Sequence, residues 1–185
     1  MLSIVAMAVR GLLLLSAAVV LGLSVSNAKY QVFGNPPPET SFGSFTGAFG
    51  VLVSLVGLAA LFVDKIPTFF VMAADALASI FFLAGGIALT LAMKDVSSCT
   101  GGDKLGDYQR VTNKLLNGGC TDGGNDVTYC GISSSPHPFD ELHGRCQRVQ
   151  ADYVFEFIAF IFGVVIIALG WVLHRKGGSG TRSYV

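Results

Sequence analysis

Uncharged apolar residues fall into four membrane-length blocks, and this pattern limits what the chain can fold into more than any other feature. A helix that crosses about 30 Å of hydrocarbon at about 1.5 Å per residue needs about 20 mostly apolar residues. Each block reaches that length, and the blocks cover residues 2–28, 42–63, 68–93 and 151–173. We therefore predict an all-α membrane protein, a four-transmembrane-helix bundle over residues 1–176, followed by a flexible tail at 177–185.

The first block also has the pattern of a secretory signal peptide. Arg10 would be its basic region, Gly11–Leu23 its apolar core and Ser26-Asn27-Ala28 its cleavage site. However, residues 2–9 are themselves apolar, which makes the hydrophobic element unusually long. The block is therefore interpreted as a spanning helix.

The three connections between the blocks differ in length and composition. The first contains Pro36-Pro37-Pro38, which predicts a stiff, non-helical loop up to residue 41. The second, Asp64-Lys65-Ile66-Pro67, predicts a tight turn whose proline suits a helix start. The third is a long polar loop, residues 94–150.

All four cysteines lie in that long loop, at Cys99, Cys120, Cys130 and Cys146. An even number of cysteines confined to one polar segment indicates disulfides in an oxidising compartment. The loop is therefore expected outside the cell, with both termini in the cytosol. Four cysteines allow three pairings. We favour Cys99–Cys146 with Cys120–Cys130, because antiparallel third and fourth helices bring the two ends of the loop together.

A metal site is the competing interpretation of the same loop. Its ligands would be Cys130, His137, His143 and Cys146. That spacing fits no common zinc module, and extracellular thiols are usually oxidised, so disulfides are favoured.

Few charged residues lie inside the apolar blocks. Arg10 and Asp75 lie about 10–13 Å along the first and third helices from the same side of the membrane. A charge in lipid is costly alone, so we predict that these two residues form an intramembrane ion pair.

Asp152 and Glu156 lie four residues apart on one face of the fourth helix. For Glu156 the expected partners are Lys94, Arg148 or water, whereas a proton relay between Asp75 and Glu156 is disfavoured because they lie toward opposite leaflets.

Small residues recur every four positions in all four blocks. Such stripes allow helix backbones to approach closely in a membrane, within one bundle or between protomers. The residues that we expect to pack helices together are Gly22, Gly43, Gly47, Ala88 and Gly163.

Two stretches resemble a known family. In Met72–Cys99 an aspartate lies within a long helix that ends before a polar run and a cysteine, and Gly144–Phe157 leads from Cys146 through Gln150-Ala151 into the last helix. With Arg10 in the first helix, they make the chain similar to MARVEL tetraspan domains, most of all to the fungal non-classical export protein branch. The longer loop and the extra pair Cys120/Cys130 depart from that branch.

The resemblance implies a plasma-membrane organiser of lipid microdomains of the eisosome type, responsive to sphingolipid and linked to unconventional secretion. It implies homo-oligomers, membrane lipids and eisosome-type scaffold proteins as partners, and allows a bound lipid, sterol or sphingolipid but no other cofactor. Apart from the resemblance, a small channel or transporter subunit is the alternative. The chain contains no nucleophile elbow, metal triad, phosphate loop or basic stripe, so neither an enzyme nor a nucleic-acid partner is expected.

Overall fold

Four long helices form an up-and-down bundle in the computed structural model, which describes residues 2–61, 68–100, 104–124 and 127–176. The bundle helices are α1 (Leu2–Lys29), α2 (Pro38–Ala59), α3 (Thr68–Ala92) and α5 (Pro138–Lys176), and a shorter helix α4 (Lys104–Thr112) lies between α3 and α5. Each of the four is long and apolar enough to cross a membrane. Successive helices of the bundle pack side by side, and α5 closes the ring against α1.

Two helix starts differ from those predicted. Helix α2 begins at Pro38 rather than at residue 42, with Pro37 preceding it in an extended conformation. A proline in the first turn of a helix removes only an N–H that would have no intrahelical partner, so the last proline of the triplet starts the helix instead of preventing it. Helix α5 begins at Pro138, so residues 138–150, predicted as loop, form its first turns. The predicted turn at 64–67 and the tail at 177–185 lie outside the described residues.

The bundle interior follows a seven-residue repeat. In each helix, residues seven positions apart turn the same face inward, and all of them are buried: Arg10, Ala17 and Ser24; Gly43, Gly50 and Gly57; Asp75, Phe82 and Leu89; Asp152, Ala159 and Ile166. A seven-residue period is the signature of helices that wrap around one another at a shallow angle, as in coiled coils and four-helix bundles. The twelve residues form three layers across the bundle, and the layers position the polar groups described below.

The polar segment between α3 and α5 folds into a compact cap over one end of the bundle. We use "the cap" for residues 94–150, which contain α4, a hairpin of β1 (Cys120–Asp122) and β2 (Thr128–Cys130), a 3₁₀ helix (Gly131–Ser134) and the first turns of α5. Its core is continuous with the ends of α3 and α5 and consists of Leu89, Met93, Leu115, Leu116, Ile132, Leu142, Cys146 and Val149.

Arginines attach the cap to the rest of the bundle. Arg145 donates a hydrogen bond from Nη1 to the Leu116 carbonyl at 2.9 Å and one from Nη2 to Glu141 Oε1 at 2.6 Å. Its guanidinium also lies 4.6 Å from the ring centre of Tyr30, just past the end of α1. Arg148 donates to the hydroxyl of the same tyrosine. The cap therefore contacts α1 as well as the two helices that it connects.

Both disulfides have the predicted pairing. Cys99–Cys146 joins the segment after α3 to α5, with 5.3 Å between the Cα atoms. Cys120–Cys130 links directly opposite positions of the hairpin. Because Cys130 and Cys146 are used in disulfides, the metal site predicted as the alternative is wrong. Its histidine His143 lies instead with Nε2 3.6 Å from Asp107 Oδ1.

We expect loss of Cys99–Cys146 to destabilise the protein more than loss of Cys120–Cys130. The first bond closes a ring of 47 residues and the second a ring of 10. The chain-entropy relation gives roughly 4 kcal/mol for the longer ring and roughly 3 kcal/mol for the shorter one. Thermal unfolding of the two paired Cys→Ser variants measures the difference. Free thiols at residues 99 and 146 in non-reducing peptide maps of the native protein would contradict the assignment.

Candidate functional site

An ion pair lies in the layer of the bundle far from the cap. Arg10 Nη2 donates to Asp75 Oδ2 at 2.8 Å, and Nη1 faces Oδ1 at 3.3 Å. Both side chains are fully buried. This is the pair that the matched depth of the two residues predicts.

Helix α2 makes room for this pair with a glycine. A Cβ atom on Gly57 would collide with the guanidinium of Arg10. The side chain that crosses the bundle from α1 to α3 therefore runs over the bare backbone of α2. Gly57 was not among the residues predicted to pack helices.

An apolar layer separates the two ends of the interior. Phe82 is fully buried, and its ring lies where a Cβ on Gly50 would be, next to Ala17. Ala159 completes the layer from α5. These residues belong to one apolar core with Leu13, Val20, Val53, Ala78 and Ile166.

A second polar cluster, which we call the acidic cluster, lies in the layer below the cap and consists of Asp152, Glu156, Ser24 and Asn27. Ser24 Oγ donates a hydrogen bond of 2.6 Å to Asp152 Oδ2. The Asn27 amide lies beside the same carboxylate. Asp152 and Glu156 have no exposed surface, and Asn27 is only 7% exposed.

Two glycines leave space for the Glu156 carboxyl group. A Cβ on Gly85 would lie 2.5 Å and 2.6 Å from its two oxygens, and a Cβ on Gly43 would lie 3.4 Å from Oε1. The bare backbones of α2 and α3 thus allow a carboxyl group to enter the interior from α5. Neither of its oxygens has a hydrogen-bond partner among the described residues.

The two side chains predicted as partners of Glu156, Arg148 and Lys94, do not bind it, so this prediction is wrong. Arg148 contacts Tyr30 at the outer end of α1. Lys94 is exposed just beyond the end of α3. Both predicted cations lie toward the capped end of the bundle, whereas the helix turns Glu156 inward, away from both of them.

The residues expected to pack helices divide into two groups. Gly43, Gly47 and Gly163 are buried, and a Cβ at any of them would meet a neighbouring helix. At Gly47 the atoms met are the backbone N and Cα of Leu21, at 2.5 Å and 2.7 Å. Gly22, by contrast, is exposed and has nothing within 4 Å of its Cβ position, so it does not pack helices within the bundle.

Ala88 lies at a groove rather than in the interior. The groove has a volume of about 630 Å³ and opens between the capped ends of α2 and α3 and the cap. Ala88, Leu91 and Ala92 form its apolar side, and Glu39 and Lys114, which form a 2.6 Å ion pair, lie on its polar side.

Comparison with known families identifies the fold. The MARVEL membrane-associating domain matches residues 3–169, which is nearly the whole chain and includes both buried polar groups. The chain belongs to the MARVEL family. No curated protein and no solved structure matches it.

Two features of this MARVEL domain are visible in the structure but were not predicted from the sequence: the Ser24–Asp152 contact and the inward-facing glycines of α2. The Ser24–Asp152 contact joins residues 128 positions apart, and neither residue is unusual by itself. Gly57 and Gly50 were not linked to Gly43, although the three recur at seven-residue spacing. That spacing was the signal that would have identified the inward face of α2.

Proposed function

We propose that this MARVEL protein organises lipid microdomains of the plasma membrane as a self-associating scaffold. The observation that carries the proposal is the match of a membrane-associating domain to residues 3–169. In this proposal both ends of the chain are cytosolic and the disulfide-bonded cap is extracellular, since disulfides persist in oxidising compartments.

The resemblance to the fungal non-classical export proteins supplies the finer part of the proposal. The protein would act in eisosome-type membrane furrows, respond to sphingolipid and take part in unconventional secretion. Its partners would be membrane lipids, other copies of itself and eisosome-type scaffold proteins. It would act without catalysing a reaction.

The outward face of α1 supports self-association. Ala18 and Gly22 are exposed at four-residue spacing, with the apolar Leu15 and Val25 exposed at 64% and 36% on the same helix. Small residues that are not used inside a bundle allow a second helix to approach closely. Gly43, Gly47 and Gly163 do not offer such a surface, because they are already used inside the bundle.

A small channel or transporter subunit is the second candidate, and the buried polar groups favour it. Polar side chains are buried at two depths of the bundle interior, so the core is not wholly apolar. However, the layer of Ala17, Gly50 and Phe82 is tightly packed between them. A continuous polar path would require this layer to open, so the scaffold is the better-supported function.

Imaging of the protein in living membranes tests the scaffold. We expect Gly22→Leu to disperse membrane patches, because the leucine blocks close approach at an outward face without touching the interior. The matched control is Leu52→Phe, which adds apolar bulk at a position of α2 that is 62% exposed. Truncation after Lys176 should leave the patches in place.

The scaffold proposal fails if truncation disperses the patches while the Gly22→Leu protein, folded and delivered normally, still clusters. Ion flux in reconstituted vesicles separates the second candidate. The channel would be favoured by flux that is well above that of empty vesicles and is abolished by a substitution that adds bulk to the bundle interior.

A further inference from the structure

The acidic cluster contains more negative charge than its surroundings compensate. Asp152 Oδ1 and both oxygens of Glu156 are buried and have no hydrogen-bond partner among the described residues. Only Asp152 Oδ2 is bound, by the Ser24 hydroxyl. A buried polar atom without a partner costs about 1–3 kcal/mol, and more when it is charged. The arrangement therefore calls for a positively charged ligand.

Among the residues that the structure describes, no cationic side chain lies at this depth. On α1 the neighbours are the uncharged Ser24 and Asn27, and Lys29 at the end of the helix is exposed. On α2 no charged residue follows Glu39, which binds Lys114. On α3 the charged residue is Asp75, which is bound to Arg10 beyond the apolar layer. On α5 the nearest cations are Arg145 and Arg148, which bind the cap and Tyr30.

The contrast with Asp75 shows that the fold can supply a counter-charge where it needs one. Asp75 and Glu156 are both fully buried acids on bundle helices. In each case a glycine on the inward face of α2 makes room. Gly57 leaves space for the guanidinium of Arg10, and Gly43 leaves space for the side-chain oxygens of Ser24 and Glu156. No cation among the described residues does the same for Glu156, which leaves this role to an external ligand.

The acidic cluster lies close to the capped end. Ser24 is five residues before the end of α1 at Lys29, about 7 Å along the helix at about 1.5 Å per residue. Asn27, the member of the cluster that is 7% exposed, lies closer to that end than Ser24 does. An ion that enters from the capped side would therefore not have to cross the apolar layer.

We propose that Asp152 and Glu156, together with Ser24 Oγ and the Asn27 amide, bind one exchangeable monovalent cation, either a proton or a sodium ion. Two adjacent buried carboxyl groups can share a single proton, because like charges at close range do not both ionise. Carboxylate, hydroxyl and amide oxygens are also hard ligands of the kind that alkali cations prefer. A calcium ion would need six to eight oxygen ligands, more than the cluster provides.

Carbodiimide labelling of the full-length protein in lipid nanodiscs tests the site. Dicyclohexylcarbodiimide reacts with a protonated carboxyl group in apolar surroundings: the acid adds across a C=N bond, and the product rearranges to a stable N-acylurea. Mass spectrometry of peptides then locates the adduct. We expect labelling of Glu156 to fall at least about tenfold when the pH is raised from about 5 to about 10, because only the protonated carboxyl group reacts.

Salt composition distinguishes the two cations. At fixed pH, protection of Glu156 by about 0.1 M sodium chloride, relative to choline chloride at the same ionic strength, identifies sodium as the ligand. Equal labelling in the two salts, with the pH dependence retained, identifies the proton. Asp75 in the same sample is the internal reference and should remain unlabelled, because its carboxyl group is bound to Arg10.

Two further outcomes would overturn the proposal. One is an absence of adduct on Glu156 throughout the pH range in choline chloride. The other is labelling that changes with neither pH nor sodium, since a permanently neutral carboxyl group binds no exchangeable cation.

In the Asp152→Asn variant, labelling of Glu156 should be lost at a lower pH than in the wild type, because the neighbouring negative charge is removed. Circular dichroism and elution volume verify that this variant is folded.

Discussion

Asp75→Asn is expected to destabilise the bundle by as much as any single polar substitution in it. The change leaves the guanidinium of Arg10 fully buried without its carboxylate partner, next to the backbone of Gly57. Breaking a buried ion pair costs about 3–5 kcal/mol in soluble proteins. Double-mutant cycles within membrane bundles give smaller values, so a loss of about 2 kcal/mol or more is the expected result.

Thermal unfolding in detergent measures this loss, and a double-mutant cycle assigns it to the pair. Asp95→Asn is the matched control, because it removes the same charge from an exposed residue at the end of α3 and should leave the midpoint unchanged. The double variant Arg10→Gln/Asp75→Asn should be less destabilised than the sum of the two single variants, since its amides can bond to each other. Strict additivity would contradict a direct interaction.

Features that depend on depth could be predicted from the sequence. A helix in a membrane has a known rise and direction, so the matched depth of Arg10 and Asp75 is enough to place them together. The same reasoning places Cys99 and Cys146 together, because they flank two antiparallel helices. The bonds in the structure are those expected on these grounds.

Features that depend on the rotation of a helix about its axis were harder to predict. Gly22 and Gly47 both belong to four-residue stripes of small residues, yet one faces outward and the other packs on a backbone. A four-residue stripe gives no direction by itself. The seven-residue recurrence of Gly43, Gly50 and Gly57 does, because only an inward face stays in register with its neighbours over that distance.

The start of α5 shows a different limit. Residues 138–150 are polar, so hydropathy separates them from the transmembrane segment that they continue. The helix is stabilised there by cap contacts made far along the chain, such as those of Leu142 and Cys146 in the cap core. Hydropathy predicts where a helix enters the membrane, whereas tertiary packing determines where it begins.

The same substitution at Gly47 and at Gly22 is expected to change stability in opposite directions. Gly47→Ala places a Cβ at 2.5–2.7 Å from the Leu21 backbone, which forces α1 and α2 apart and should cost about 1–3 kcal/mol. Gly47→Leu adds three more carbon atoms to the same contact and should prevent assembly of the bundle. Gly22→Ala has open space around it and gains helix propensity, worth at most about 1 kcal/mol.

Thermal unfolding midpoints of Gly22→Ala and Gly47→Ala in the same detergent decide between the two environments. Both variants add one methyl group to a glycine in the middle of a transmembrane helix, so each is the control for the other. A lower midpoint at position 47 with an unchanged or higher midpoint at position 22 is the expected result. Equal losses at both positions would contradict the open surroundings of Gly22 on which the prediction rests.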